Sequence, residues 1–405
     1  MLIAPYDEWV RLRKALAPVF HTANMRDFHT HFIDAALVLL DKIEEHNTRK
    51  AQETFLQPEE TATDGAKRPR KVTGLHPINI DDYTMTLALD IITRVMFSKD
   101  LHLQRDDPKN VSGLLQEATT LFQLSAFTPF FAWVKPFKNW RYHRVLRELK
   151  GIMKEFIQER QLAQQQLQQP EEEEEDSGKK KKKDLLDLLL LAQDDNDNKL
   201  SMDSLISQSF TFYFAGHDTT AHTISWALWE VAKNPEVQDK IYAEITSVLG
   251  DNEHPTYEDI GRLTYISHVV KETLRLHPPV GINTRQLATP LDVEGFNIAP
   301  PGSIGVCIKA IQTSEYVWPE PWKFRPERFS EEESQGRHPC SWLPFSFGER
   351  NCIGMQFALL ELRTVLSLVL KKYIVAPSVD RFPYSESRLT EIPACGVYIN
   401  FAKRE

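Results

Sequence analysis

The chain is short of cysteine, of long apolar runs and of positive charge, and each shortage excludes a class of protein. Its 405 residues hold four cysteines, Cys307, Cys340, Cys352 and Cys395. They lie far apart and form no C-x-x-C pair, which argues against a disulfide framework or a structural zinc site. No run of 18 apolar residues occurs, so no transmembrane helix is expected within these residues. The opening MLIAPYDEWVRLRK is too short and too polar for a signal peptide. The 48 Lys and Arg are outnumbered by 57 Asp and Glu, for a net charge of -9. A chain that binds nucleic acid usually carries a basic surface, so no nucleic-acid partner is expected. A Gly-rich nucleotide-binding segment is also lacking. What is present is a 41% hydrophobic composition, enough for a sizeable core.

Apolar spacing gives a mainly α chain with a small β region. Trp9, Leu12, Leu16, Val19 and Phe20 recur at three- and four-residue intervals, the period of an amphipathic helix. The polar stretch from Glu44 to Lys71, with Pro58, Gly65 and Pro69, is expected to be a loop of low order. From Ile78 a buried pattern resumes and turns helical around LALDIITRVMF. Residues 111–167 read as helix broken near Pro129 and Pro136, with aromatics from Phe122 to Trp140 that suit either core or the lid of an apolar pocket. The run QQPEEEEEDSGKKKKK, residues 168–183, cannot bury apolar surface and is expected to be a mobile charged loop. Helices follow from Asp184, from about Ser201 to Ala232, and from Tyr257 to His277, where Pro278 stops the last. Short β pieces are expected between Gly281 and Ile308, then turns, then an apolar helix from Ile353 to Lys372.

Four segments carry chemistry. The first is the run Phe345, Ser346, Phe347, Gly348, Glu349, Arg350, Asn351, Cys352, Ile353, Gly354. A thiolate ligand to iron must be shielded from oxidation and protonation. Glycines at 348 and 354 allow tight turns that bring N–H groups toward the sulfur. An aromatic at 345 can screen the iron–sulfur bond, and Arg350 can bond a carboxylate. A lone Cys in such a turn would be a small buried hydrophobe. Five positions agree here, and at roughly 5% per type a chain of this length matches by chance about once in ten thousand.

The second segment, Ala215, Gly216, His217, Asp218, Thr219, Thr220, lies midway along the long helix. Gly216 removes a side chain where a ligand could approach, and Asp218 with Thr219 forms an acid–alcohol pair suited to proton relay. These are poor helix formers, a local conflict that points to function. Read alone, the threonines would bond back to helix carbonyls. The third, Glu272 and Arg275, would by itself be a surface ion pair worth about 0.3–0.5 kcal/mol. The fourth, Trp9 and Arg13, reads alone as a core aromatic and a solvated cation.

The Cys352 segment resembles the heme-binding loop of the cytochrome P-450 superfamily, and the other segments match that family in order. The resemblance runs from Trp9 to the C-terminus and is closest to eukaryotic microsomal members and fatty-acid hydroxylases. It implies a P-450 fold in one heme-thiolate domain over 1–405, with heme b held by Cys352 as axial ligand. Such enzymes are the known case of a Cys thiolate pushing electron density toward iron to favour O–O cleavage. It further implies that Phe345, Gly348, Arg350, Gly354, Ala215 and Gly216 line the cofactor, with Trp9, Arg13 and Arg285 at its propionates. His338 is as readily a turn residue. Asp218 and Thr219 would be catalytic. Glu272, Arg275 and Arg328 of the Phe324–Phe329 segment would form a structural triad.

The implied activity is monooxygenation of a lipophilic substrate with O2, electrons coming from NADPH through NADPH-cytochrome P-450 reductase. Arg11, Arg13 and Lys14 would face that partner. Substrate contacts are expected over 120–140, at Phe212 and Ala215, over 280–283 and over 393–395, where core packing is the alternative. Relatives carry roughly a hundred residues before Trp9, so the chain is expected to lack the N-terminal anchor and first strands. The intact protein would then sit on the cytosolic face of the endoplasmic reticulum membrane. Two rivals stand beside this reading: a heme-thiolate isomerase or dehydratase of lipid peroxides, and a non-catalytic truncated remnant.

Overall fold

The computed structural model describes residues 4–55, 76–107, 109–127, 133, 135–166, 184–191 and 199–404. The charged run 168–183 lies outside them. Backbone contacts divide the chain into two compact units: Met1–Val38, Met85–Thr220 and Gln356–Leu360, and Leu39–Thr84, Ala221–Met355 and Glu361–Glu405.

Among its described residues the first unit is helical. It contains α1 (Tyr6–Leu16), the start of α2 (Thr22–Phe55), α3 (Ile80–Phe97) from Met85, α4 (Val111–Phe127), α5 (Pro136–Gln166) and α6 (Leu185–Leu191). The long helix α7 (Met202–Lys233) contributes its residues up to Thr220 here and the remainder to the second unit. Aromatic rings knit the core: Phe32 meets Phe357 edge-on at 4.9 Å, and Phe97 lies 4.8 Å from Phe156. Arg160 ties the end of α3 to α6, donating to Phe97 O at 2.9 Å and Asp187 at 2.8 Å.

The second unit holds α8 (Pro235–Leu249), α9 (Tyr257–Arg262), α10 (Thr264–Leu276), α11 (Ile308–Gln312), most of α12 (Met355–Lys372), and all the strands. An antiparallel sheet has the order β1 (Ile78–Asn79), β9 (Tyr398–Lys403), β6 (Tyr373–Pro377), with Ile399 opposite both Ile78 and Pro377. Gln238 of α8 pins β6 by bonding both backbone groups of Val375, at 2.7 and 3.0 Å. The remaining strands form two-stranded pairs: β2 (Ile282–Gln286) with β5 (Ser303–Cys307), β3 (Leu291–Val293) with β4 (Phe296–Ile298), and β7 (Ser385–Ser387) with β8 (Glu391–Pro393). Glu294 and Gly295 turn the β3–β4 hairpin with positive φ at both positions, the twist such two-residue loops require. No helix among the described residues is long and apolar enough to cross a membrane.

Two expectations are corrected. The polar stretch from Glu44 is helical as far as Phe55; Glu, Lys, Gln and Ala are strong helix formers. Asn47 also anchors this turn by donating to Phe401 O at 3.0 Å. Residues 56–75 lie outside the described set. Residues 257–276 form two helices, because Glu244 of α8 accepts the N–H groups of Tyr265 and Ile266 at 2.6 and 3.0 Å and starts α10 afresh. Of the two readings of the aromatic stretch, core is excluded at 133, 137 and 140, since Trp133, Phe137 and Trp140 are exposed.

The strongest constraint in the second unit is a buried ion cluster. Glu272 is fully buried and accepts from Arg275 Nε at 2.7 Å and Nη2 at 2.8 Å, from Arg328 Nε at 3.3 Å, and from the Arg325 N–H at 2.9 Å. Removing one partner of such a cluster leaves a buried charge uncompensated. Glu272→Ala is therefore expected to cost about 3–5 kcal/mol in urea unfolding. Glu386→Ala, which breaks an exposed pair with Arg388, should leave the urea midpoint nearly unchanged, since solvent screens such pairs.

Candidate active site

The Cys352 loop is built outward from the ion cluster. Gln312, the last residue of α11, is buried; its amide donates to the carbonyls of Leu274 and Arg275 at 2.9 and 3.1 Å. Its oxygen accepts the Leu343 N–H at 2.6 Å. Trp342 Nε1 donates to Lys271 O at 3.0 Å, so the residues entering the loop are fixed to α10 and α11. The chain then folds back: Ser346 N–H bonds Leu343 O at 2.9 Å, Asn351 N–H bonds Gly348 O at 3.1 Å, and Cys352 N–H bonds Phe345 O at 2.9 Å. Ser346 and Gly348 turn it with φ of 61° and 80°.

Cys352 is exposed, Phe345 and Arg350 are half-buried, and the Phe345 ring lies 6.0 Å from Trp342. Cys352 lies three residues before Met355, the first residue of α12, where the dipole of an 18-residue helix favours negative charge. The two glycines differ. Gly348 needs its left-handed conformation, whereas Gly354 caps α12 at φ -88°. A Cβ on Gly354 would lie 4.0 Å from Cys352 Sγ, ordinary contact, so of the two glycines expected to allow tight turns only Gly348 uses a glycine conformation.

Arg285, on β2, is exposed and rests against this loop. Its Nη1 donates to Asn283 Oδ1 and, at 2.9 Å, to Thr284 O, while Nη2 donates to Ser346 Oγ at 3.3 Å. Asn283 Nδ2 donates to the same Ser346 oxygen at 2.9 Å. His338 is a turn residue whose Nδ1 accepts the Cys340 N–H at 3.1 Å.

The remaining candidates belong to the first unit. Trp9 is buried on α1, its ring 5.7 Å from Tyr6, and Arg13 is half-buried in the last turn. On α7 the side chains turn back to the helix. Thr219 Oγ1 donates to Ala215 O at 2.8 Å and Thr220 Oγ1 to Gly216 O at 2.6 Å, while His217 Nδ1 lies 2.8 Å from Tyr213 O. Asp218 is buried and Ala215 half-buried. A Cβ on Gly216 would meet Ile92 Cδ1 at 3.3 Å. The missing side chain thus admits α3, which corrects the expectation that it clears room for a ligand. Phe212, an expected substrate contact, is buried with its ring 5.3 Å from Phe20.

Sequence reasoning missed Gln312 and Trp342; it placed Asn283 among substrate contacts and quoted Ser346 within the Cys352 run, without the bond that joins them. The place of Asn283 beside Arg285 could have been found, since residues two apart on a strand share a face and Arg285 was already a candidate.

Comparison with known proteins decides the family. The family model described as cytochrome P-450 matches residues 1–393. The chain belongs to the cytochrome P-450 family. It is 31% identical over 413 residues to cytochrome P-450 4V2 of Pongo abelii, covering 100% of this chain and 74% of that protein. Cytochrome P-450 4B1 of Homo sapiens is 31% identical over 391 residues, 96% of this chain and 71% of the relative. Cytochrome P-450 4c21 of Blattella germanica is 30% identical over 379 residues, 92% of this chain and 70% of the relative. The crystal structure of a cytochrome P-450 heme domain matches with a TM-score of 0.81 at 23% identity, covering 100% of this chain and 79% of that one. At that identity it speaks for the fold, mainly helical with small sheets, as expected.

This P-450 is a heme-dependent monooxygenase that uses O2, a redox partner and a lipophilic substrate. Its residues fit the cofactor: an exposed thiol ahead of a helix N-terminus, with an exposed guanidinium held against the same loop. Among the described residues no group of three His, Cys, Asp or Glu offers a different metal site. Nothing lies within 4 Å of a Cβ built on Gly348, so substitutions there report backbone strain alone. Gly348→Ala is expected to cost about 1–2 kcal/mol in urea unfolding and Gly348→Asn distinctly less.

Proposed function

We propose that Cys352 is the axial ligand of heme b and that the protein inserts one oxygen atom into a lipophilic substrate such as a fatty acid. The observation that carries this reading is the Cys352 turn, which presents an exposed sulfur ahead of α12 with its backbone tied to Phe345. Heme bound there supplies the iron at which dioxygen is reduced and activated. The net reaction takes substrate, O2, two electrons and two protons to hydroxylated product and water.

This chain's own residues supply binding, shielding and protons. Arg350, Arg285, Arg13 and the indole of Trp9 are assigned to the propionates, where guanidinium groups make paired charge-assisted bonds. Phe345 would screen the sulfur once heme is bound, and Gly348, with its left-handed conformation, shapes the loop that carries it. Ala215 would line the oxygen side of the cofactor, while Gly216 beside it lets α3 approach through Ile92. Asp218 and Thr219 are assigned to proton delivery. The Thr219 hydroxyl can exchange its bond to Ala215 O for one to the reacting oxygen, and Asp218 can restore the proton from its surroundings. Electrons are assigned to NADPH through NADPH-cytochrome P-450 reductase, docked at Arg11, Arg13 and Lys14. The whole protein is placed on the cytosolic face of the endoplasmic reticulum membrane.

The test is turnover of a fatty acid with NADPH and reductase under 18O2. The product should carry one labelled oxygen, and Thr219→Ala or Asp218→Asn should lower product per NADPH by about 10². Conversion of a lipid hydroperoxide without reductase or label, with no labelled product from the fatty acid, would replace this reading by an isomerase or dehydratase.

A further inference from the structure

Ser346 is one of the few non-glycine residues with positive φ, at 61°. A side chain in that region is strained and persists only where its surroundings hold it. Here two side chains of β2 hold it. Its hydroxyl oxygen accepts from Asn283 Nδ2 at 2.9 Å and from Arg285 Nη2 at 3.3 Å. Asn283 Oδ1 in turn accepts from Arg285 Nη1, which closes a three-residue ring between β2 and the Cys352 loop. The ring also fixes the Asn283 amide, since only one orientation presents oxygen to Arg285 and nitrogen to Ser346. The loop side of the ring adjoins Phe345, whose carbonyl receives the Cys352 N–H at 2.9 Å.

The donor count shows what the ring does for Arg285. A guanidinium has five N–H donors. Three are engaged, two on Nη1 with Asn283 and Thr284 and one on Nη2 with Ser346. The Nε–H and the second Nη2–H remain, and two N–H groups on adjacent nitrogens are what a carboxylate accepts in paired fashion. An exposed arginine without the ring would sample many rotamers and lose that preorganisation.

We propose that Asn283 and Ser346 are positioning residues for heme binding: they hold the Arg285 guanidinium to receive a heme carboxylate and couple that contact to the turn carrying Cys352. The proposal rests on Cys352 as the heme ligand. It makes Ser346 a point where the cation on β2 and the sulfur turn are fixed by one oxygen atom.

The test titrates the full-length apo-protein with hemin and measures the ferric–ferrous midpoint potential of the loaded protein. Ser346→Ala and Asn283→Ala should each weaken hemin binding about tenfold, the scale of a lost hydrogen bond to a charged group. Both should move the midpoint to more negative potential, because a displaced cation favours the reduced form less. Ser346→Gly, which removes the φ strain together with the hydroxyl, should be as weak as Ser346→Ala. In an Arg285→Ala background, Ser346→Ala should add little, since it acts through Arg285.

Hemin affinity unchanged in Ser346→Gly would overturn the proposal, leaving Ser346 as a strained turn residue only. So would full additivity with Arg285→Ala, or an unchanged potential with only a lowered unfolding temperature. Absence of a Cys352-dependent ferrous–CO band in the parent protein would instead remove the ligand assignment on which the proposal stands.

Discussion

A carboxylate without access to water must be neutralised by its surroundings, and Glu272 imposes that demand on the second unit. Arg275, Arg328 and the Arg325 N–H answer it. Both guanidinium groups are themselves buried, so they need further acceptors. Arg275 donates to Gln312 O at 2.9 Å and Arg328 to Glu320 O at 2.7 Å. Through these carbonyls the charge on Glu272 organises the backbone from 312 to 328. The Gln312 side chain carries the constraint to Leu343, two residues before Phe345. A cluster that looks purely structural therefore fixes the entry to the loop that presents Cys352.

The cost of this arrangement is concentrated in a short stretch of backbone. Ser346 and Gly348 both take left-handed conformations, and the loop tolerates them because each end is tied. Trp342 and Leu343 are bonded to α10 and α11, and beyond Cys352 the chain enters α12, an 18-residue apolar helix. Rigid flanks around a strained turn place a sulfur more reproducibly than a long flexible loop would. The segment of α7 around Asp218 shows the opposite economy. Its hydroxyls bond back to carbonyls one turn earlier, so the helix absorbs poor helix formers without breaking.

Much of this was legible in the sequence, for local reasons. The helices α3, α7 and α12 follow apolar periodicity, and the Cys352 loop is a contiguous motif whose spacing carries its own chemistry. What was illegible depended on partners distant in sequence. The start of α10 is set by Glu244, some twenty residues earlier on another helix. Gly216 reads as ligand clearance until Ile92 of α3 is seen beside it. Glu272 and Arg275 have by themselves the spacing of a surface pair; only the family resemblance joined Arg328 to them, and the structure buries all three. Composition misled at Glu44–Phe55, where a polar stretch of good helix formers continues α2, with Asn47 tied to Phe401 O. Ser346 carried no signal at all, since nothing in a serine between two phenylalanines announces positive φ.

The central claim is that the Cys352 sulfur binds heme iron. The most direct measurement is the ferrous–CO difference spectrum of the heme-loaded protein beside that of Cys352→Ala. Thiolate ligation by Cys352 should give a red-shifted Soret band in the parent and its loss in Cys352→Ala. A red-shifted band that survives the substitution, or none in a parent that has taken up heme, would contradict it.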